Sequence, residues 1–571
     1  MGDGKAVFLT MSTDADKQQG VEKPARKRAN VFVRGLFILV PVSVILLAVS
    51  YLFVRTVLFL SADYALYEKL IAMLLILAEG FLILHGVGYF LEIVRVSFSR
   101  GGWSVGEADA PTLSSFPPVA VIVSSFKEPV SVVEETLVAF YNLTYPNKQI
   151  YFLDDTRYDA KDADPSEMEE YYQAIDDMCR RMKVDLFRRS WRGAKAGMIN
   201  DFLDFVDGKH RKGFSIKRYS QTTPTEPPKY IVVFDADVNP FPRFIEKLVA
   251  MMEVQPRLAF IQTPQYYTNF EHNRVARAAG LQQAVFYEYI CEGKSLQDAM
   301  FCCGTNVIFR REALLDVGGF DETSVTEDFA TSLKFHLKGW RSAYHNRIGA
   351  FGMGPEDLQS FFKQQFRWAL GTIGLLRKIV FLFIRNPMAL ARSRWWEYIL
   401  SGSFYFIGYV FFILVICPLL FIFFNVPTFF ARPDIYVLFF VPYFVLTMSV
   451  YSLTLKARHY SFKELIFGQL LIAISFPVYL KAAVQGLLGI RGKFLVTDKS
   501  GASTVSLLVI WPQLLLAAFC VAAVAWGGNR LFYERTTVLA VGVNILWCLY
   551  HALILLSVLY FRTPETAKER E

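Results

Sequence analysis

Seven cysteines in 571 residues are few, odd in number and scattered (179, 291, 302, 303, 417, 520 and 548), and no two form a CxxC pair. That spacing indicates neither a disulfide framework nor a zinc site, and the thiols are expected to be reduced and packed. Charge is scarce too: charged residues make up 20% of the chain and the formal net charge is only +8. So small an excess gives no reason to expect a nucleic-acid partner; it suits lysine and arginine gathered at a membrane boundary. The first 30 residues lack a small-residue cleavage site and carry "KPARKR" just before an apolar run, so 1–30 is expected to be an uncleaved cytoplasmic tail.

What the chain has in plenty is apolar surface. It is 53% hydrophobic, with 52 phenylalanines, too long for one ordinary domain and too apolar for a purely soluble protein. A bilayer needs about 20 apolar residues per helix, and such runs lie near 35–54, 70–94, 398–424, 435–456, 504–526 and 537–561. Two spans are therefore expected in 31–96, two in 395–456 and two in 504–561, with 562–571 as a tail. Between the second and third spans, 110–390 is charged and carries short β-like runs: "VAVIVSS", "QIYFLDD", "YIVVFDA" and "LAFIQT". Separated by helical-length segments, they predict a largely parallel α/β sheet whose polar strand ends bind ligand. Arg26, Lys27, Arg28, Arg95, Arg100, Arg392 and Arg394 flank the spans on the side of this domain, which is expected to be cytoplasmic. Residues 460–503 are expected to hold one helix lying along the membrane surface, 465–488, followed by the loop "KFLVTDK" on the same side as the domain.

Candidate chemistry lies in the middle domain. "LDDT" sets Asp154 and Asp155 at one strand end, and "FDADVNP" sets Asp235 and Asp237 at another. An Asp-x-Asp pair beyond a strand can hold Mg2+ or Mn2+ against a diphosphate, or be a solvated acidic turn. "VTED" offers Glu327 and Asp328, as functional carboxylates or as a helix N-terminus. In 356–372, at about 100° per residue, Leu358, Phe362, Phe366 and Ala369 share one face, and Gln364, Arg367, Trp368 and Gly371 the opposite one. The second face offers an arginine for phosphate and an aromatic platform for a sugar ring, although an interfacial helix would look similar. Lys195 in "WRGAKAGMIND" suits a diphosphate contact, although a surface lysine is the commoner meaning of such a residue. Gln262, Gln265, Cys302 and Gly304 fall near strand ends, where polymer contact and core packing are both open.

In order and setting, "LDDT", "GAKAGMIN", "DAD", "QTPQYY", "FCCGTNVIFRR", "VTED", "QQFRW" and "FLVTDK" resemble the bacterial cellulose synthase catalytic subunit and related processive family-2 glycosyltransferases over about 115–500. The resemblance implies an α/β GT-A-type glycosyltransferase domain inserted in an α-helical transmembrane bundle of about six spans plus interfacial helices, in the cell membrane. It implies an inverting transferase that uses a UDP-sugar, first of all UDP-glucose, to extend a β-linked polysaccharide and extrude it. Carried over by motif, Asp154, Asp155, Lys195, Asp235, Asp237, Gln364 and Arg367 bind the nucleotide sugar, with Asp235 and Asp237 on Mg2+ or Mn2+. Asp328, with Glu327 beside it, is the general base. Trp368, Cys302 and Gly304 meet the acceptor, and Phe494, Val496, Thr497 and Lys499 form a loop that closes over UDP. Membrane lipids are expected around the spans, with an accessory export subunit or a homo-oligomer left open. Two departures stand out. "SSFKE" (124–128) replaces the "TYNE" of relatives, and "RTPETAKERE" after the last span leaves no expectation of a cyclic-di-GMP-binding PilZ domain.

Other readings remain: a synthase of β-1,3-glucan, mixed-linkage glucan, chitin, hyaluronan or mannan, or a non-processive transferase acting on a lipid. A transporter with a nucleotide-sugar-binding domain is a different class, suggested by Glu79, His85 and Glu92 in or near the second span.

Overall fold

A computed structural model describes residues 31–99, 113–159, 164–209, 213–221, 226–428, 433–490, 503–534 and 538–564. Two apolar helices come first, α1 (Val31–Ser61) and α2 (Leu66–Phe98). The α/β domain follows: β1 (Val119–Ser125), α3 (Val130–Tyr141), β2 (Lys148–Asp154), α4 (Pro165–Arg181), β3 (Asp185–Arg188), α5 (Ala194–Val206), β4 (Ser215–Lys217), β5 (Tyr230–Asp235), β6 (Val238–Pro240), α6 (Phe244–Val254), β7 (Leu258–Gln262), β8 (Tyr266–Tyr267), α7 (Arg274–Val285), α8 (Cys291–Leu296), β9 (Val307–Arg310), α9 (Arg311–Asp316), α10 (Glu327–Leu337), β10 (Arg341–Tyr344), β11 (Ala350–Gly352) and α11 (Leu358–Arg385). The remaining helices are α12 (Arg392–Ser403), α13 (Ile407–Phe424), α14 (Pro433–Lys456), α15 (Phe462–Ile474), α16 (Phe476–Leu488), α17 (Trp511–Tyr533) and α18 (Val538–Arg562).

The main sheet has the order β10-β7-β9-β5-β1-β2-β3-β4. Its centre is parallel, β5 with β1 with β2 with β3, as the sequence predicts. In β1, Val119, Val121 and Val123 join one buried core while Ala120 and Ile122 join another. A strand covered by helices on both faces must be apolar at every position, which is why "VAVIV" shows no alternation. The sheet is mixed, however, because β9 runs antiparallel between β5 and β7. This four-residue strand, preceded by a tight turn, is too short to register as a strand in the sequence pattern. Running backwards, it begins where its neighbours end, so residues 301–306 lie at the edge where β5 and β7 finish. A small second sheet, β6-β11-β8, sets Asp237 and Tyr267 close to the same edge.

Among the described residues, six helices or continuous helix pairs are long and apolar enough to cross a membrane: Ile38–Ser61, Leu66–Phe98, Arg392–Phe424, Val437–Lys456, Trp511–Tyr533 and Val538–Arg562. The chain is a multi-pass membrane protein. The fifth helix starts later than the run at 504–526 suggests, since Pro512, without an N–H, sits in its first turn where none is needed. The single helix expected at 465–488 is instead two, α15 and α16, bent by 50°. Ser475 and Pro477 mark the break, where proline at the first turn of α16 removes an amide donor and starts a new helix. The three polar groups flagged in the second span all serve helix packing. Glu79 accepts hydrogen bonds from Tyr51 (2.8 Å) and Arg55 (2.9 Å) of α1. His85 meets the Leu400 carbonyl at 3.3 Å. Glu92 pairs with Arg95 at 2.5 Å, and Arg95 continues to Glu397 at 2.9 Å.

Candidate active site

Four strand ends and two helix faces build the site. Ser125 of β1 is level with Asp154, and Ser124 with Asp235, so the two acidic ends face the same edge on either side of β1. Two strand spacings separate them, about 10 Å. Asp154 is buried and bound: Arg188 Nε donates to it at 2.7 Å and the Tyr158 hydroxyl at 2.7 Å. Asp155 is buried too, and Arg189 Nη2 donates to its Oδ1 at 2.9 Å. Burial pushes the Asp155 carboxyl up to about 7, only partly countered by the Arg189 charge. Arg189 also pairs with Asp201 at 3.1 Å, and Arg192 bridges Asp201 to Glu322. These ionic links fix the turn before α5, where Lys195 stands.

Lys195 is the hub. Its ammonium pairs with Asp235 and donates to the Gly304 carbonyl at 2.8 Å. Gly304 has φ +86°, which a residue with a Cβ adopts only at a cost. A Cβ there would also come within 3.1 Å of Asp328 Oδ2, so the loop carrying Gly304 lies directly on the carboxylate. Gln262 holds that loop: its Nε2 donates to the Thr305 carbonyl at 2.8 Å while its Oε1 accepts the Cys303 N–H at 2.8 Å. Gln265 donates to the Cys303 carbonyl at 3.0 Å, and the Asp235 N–H donates to the Thr305 hydroxyl at 2.9 Å. Cys302 is buried, its sulfur accepting the Gly304 N–H and its own N–H donating to Ser332 of α10. The thiol thus shapes the loop from the core side.

Glu327 and Asp328 open α10, both half-buried. Burial and the neighbouring Glu327 charge push Asp328 up to about 7; Glu327 is pushed up by burial as well, and the charges of Lys195 and Arg367 oppose both shifts. Helix α10 is held at its other end by His336, whose ring nitrogens meet the Tyr398 hydroxyl at 2.6 Å and the Ser342 hydroxyl at 2.8 Å. Burial lowers His336 to about 3, so it is a neutral strut.

Helix α11 completes the site. Gln364, Arg367 and Trp368 are half-buried on it, the Arg367 charge bearing on Asp328, whereas Gly371, expected beside them, is fully packed. A Cβ on Gly371 would lie 2.5 Å from the Thr326 side chain, so glycine lets α11 touch the residue that begins α10. Gln364 neighbours the Tyr267 hydroxyl, which also accepts from Gln283 at 2.7 Å. Asp237 bears electrostatically on the same tyrosine. Thr326, Tyr267, Thr305 and Arg189 are not legible as site residues from the sequence; the first three fall within "VTED", "QTPQYY" and "FCCGTN", and Arg189 carries no signal. Phe494, Val496, Thr497 and Lys499 lie outside the described residues. The residues flanking them are anchored on α11: a Cβ at Gly489 would meet Arg377 Nη1 at 2.5 Å, and the Ser503 hydroxyl donates to Asp357 at 2.8 Å.

A parallel-centred sheet carries these groups at its C-terminal edge, and two family models match parts of the chain. The model for glycosyl transferase family 2 matches residues 120–318, and that for glycosyl transferase family group 2 matches residues 230–454. The resemblance extends to particular proteins. The UDP-forming cellulose synthase catalytic subunit of Pseudomonas fluorescens is 27% identical, covering 77% of this chain and 56% of its own length. The UDP-forming cellulose synthase 1 catalytic subunit of Komagataeibacter xylinus is 25% identical, covering 78% of this chain and 56% of its own. The chain thus spans little more than half the length of these relatives. Among solved structures, the mannosyltransferase PcManGT from Pyrobaculum calidifontis, in complex with GDP-Man and Mn2+, is 16% identical, with 74% of this chain and 100% of that chain covered and a TM-score of 0.45.

Proposed function

We propose that this chain is a processive, inverting glycosyltransferase that uses a UDP-sugar, UDP-glucose first, to lengthen a β-linked polysaccharide and extrude it across the membrane. The observation that supports it most is the convergence of Asp328, Lys195, Asp235 and the charge of Arg367 at one sheet edge, Arg367 standing on the helix that leads toward the spans. The likeness to UDP-forming cellulose synthase subunits supports the donor and product class.

In this reading the donor lies along the edge from β2 to β5, with its base end near Asp154 and Asp155 and its diphosphate near Lys195. Asp328 removes the proton of the acceptor hydroxyl as that oxygen bonds to C1 of the sugar. The bond between C1 and the phosphate oxygen breaks on the opposite side, and UDP departs with the electron pair. Attack from the rear inverts the anomeric centre, so an α-linked donor yields a β-linkage. Lys195 and Arg367 offset the charge that accumulates on UDP, and Trp368 gives the acceptor sugar an apolar platform.

Asp235 and Asp237 would hold Mg2+ or Mn2+, which neutralises diphosphate charge when bound. Among the described residues no group of three or more His, Cys, Asp or Glu side chains could hold a metal. Two carboxylates suit a cation that takes its other ligands from phosphate and water. The basic residues that flank the spans support a cytoplasmic face for the domain. The likeness of "FLVTDK" to the closing loop of cellulose synthase catalytic subunits supports a closing role for Phe494, Val496, Thr497 and Lys499.

The test is to incubate membranes carrying the protein with a panel of radiolabelled UDP-sugars, with and without EDTA, and to analyse linkage and length. One UDP-sugar should give a long β-linked polymer, and EDTA should stop its formation. Single sugars on lipid would replace the processive reading with the lipid-transferase one, and no transfer from any donor would refute both.

A further inference from the structure

The turn that aims Lys195 is built in an unfavourable backbone conformation. Gly193 and Ala194 are both left-handed, with φ +61° and +49°. Glycine adopts this region freely, but alanine meets a steric cost there and stays only where its surroundings hold it. Two groups hold this turn. Arg189 Nη2 donates to the Ala194 carbonyl at 3.2 Å. Glu322 rests on the turn itself, since a Cβ on Gly193 would lie 2.8 Å from its Oε2. The carboxylate of Glu322 is in turn fixed by residues before and within α5: Arg192 Nη1 donates to Oε2 at 2.6 Å and Asn200 Nδ2 to Oε1 at 2.8 Å. Arg192 also grips Asp201 of α5, and Asn200 accepts the Phe320 N–H at 2.7 Å and donates to the Phe320 carbonyl at 3.0 Å. The segment that bears Glu322 leads directly into Glu327 and Asp328, and Lys378 of α11 donates to its Thr323 hydroxyl at 2.8 Å.

We propose that Glu322 is a positioning residue for the donor: its carboxylate clamps the left-handed Gly193–Ala194 turn and so keeps the Lys195 ammonium between Asp235 and the Gly304 carbonyl, where a diphosphate is met. The inference rests on the reading of Lys195 as a diphosphate contact and adds the residue that sets that lysine's place. Stability does not account for the arrangement. The Glu322 side chain is 30% exposed and that of Arg192 41%, and an ion pair so open to water contributes little to folding. What the pair does supply is geometry, because the carboxylate fills the only side of the turn that Arg189 leaves uncovered by a hydrogen-bonding group among those described here. One segment thereby sets both the donor lysine, through Glu322, and the acceptor base, through the start of α10.

The experiment measures UDP binding by titration calorimetry on the full chain, purified in detergent, with Mg2+ present. Lys195→Ala should weaken binding by about tenfold or more, the scale of one hydrogen bond to a charged group. Glu322→Ala should weaken it by about three- to tenfold with little change in unfolding temperature. Combined with Lys195→Ala it should cost nothing further, because a clamp that acts only through the lysine then has nothing to place. Ala194→Gly should restore part of the affinity lost in Glu322→Ala, since glycine takes the left-handed turn without a clamp. Glu322→Gln, which keeps the volume and an acceptor for Asn200, should fall between Glu322→Ala and the parent, and it gives the same comparisons should the alanine variant unfold. Parental UDP affinity in the Glu322 variants, losses that add in the double variant, or no recovery with Ala194→Gly would each overturn the inference while leaving Lys195 as a donor contact. Parental affinity in Lys195→Ala would instead overturn that contact, and the inference with it.

Discussion

Asp328 is the residue on which the proposed chemistry turns, and its position in the chain does not by itself supply a base. An aspartate that opens a helix ordinarily ionises readily, helped by the helix dipole. Here burial and Glu327 overcome that preference and hold the carboxyl at about 7, against an ordinary 3.8. Two results follow. Only the ionised form can accept a proton, so kcat should fall as pH drops below about 7. The folded chain also binds this proton more tightly than the unfolded chain, so the site costs stability as pH rises through about 7. Asp328→Asn cannot ionise; it should lower transfer by 10²-fold or more, roughly the scale of losing a general base. The same substitution should leave UDP affinity nearly unchanged and raise the unfolding temperature above pH 7. A purified variant with near-normal turnover would remove Asp328 from the role of base.

At the scale of elements, the decisive relation is the crossing of α11 over the start of α10. The helical wheel of 356–372 puts Gly371 on one face with Gln364, Arg367 and Trp368; the Arg367 charge bears on Asp328, while glycine at 371 is there for closeness. Gly371→Ala places a methyl 2.5 Å from the Thr326 side chain, so α10 or α11 must move. A displacement of about 1 Å at a catalytic group can cost on the order of 10²-fold in rate. We expect Gly371→Ala to lower kcat by 10-fold or more, with a smaller change in KM for the donor and a folded protein by thermal unfolding. Gly374, where a Cβ meets nothing within 4 Å, is the control: Gly374→Ala should keep its activity.

For the whole molecule, the domain is fastened to the spans by buried ion pairs that no local pattern announces. Lys294 of α8 reaches Glu397 of α12 at 2.8 Å with both side chains at most 4% exposed, and Arg95 of α2 binds the same Glu397. On the other side, Arg458 after α14 pairs with Glu292 at 2.8 Å. Removing one member of a buried pair strands its partner's charge, which costs about 3 to 5 kcal/mol. Lys294→Met should therefore lower the unfolding temperature of the detergent-purified protein markedly. Adding Glu397→Gln should recover part of that loss, and a double variant no more stable than the single one would show that the charge is not the cause.

The sequence by itself determined the elements whose signals are local. Apolar runs of bilayer length pick out the six helices that, among the described residues, are long and apolar enough to cross a membrane, because no soluble arrangement can cover so much apolar surface. Unbroken "VAVIV" and "YIVVF" fix central strands buried on both faces. "LDD" and "DAD" set carboxylates at an edge, since polar residues directly after such strands must sit there, and "VTED" sets two more at the start of a helix. Only the tertiary structure decided what depends on distant parts meeting: the reversal of β9 that brings Gly304 against Asp328, the salt bridge that gives Lys195 to Asp235, and the bend that makes two helices of 465–488. It also separated the two aspartates of "LDDT" from solvent by binding them to Arg188 and Arg189, and turned Cys302 inward. Burial and charge proximity set those outcomes, and both are properties of the packed chain, in which residues more than 100 positions apart share one few-ångström neighbourhood.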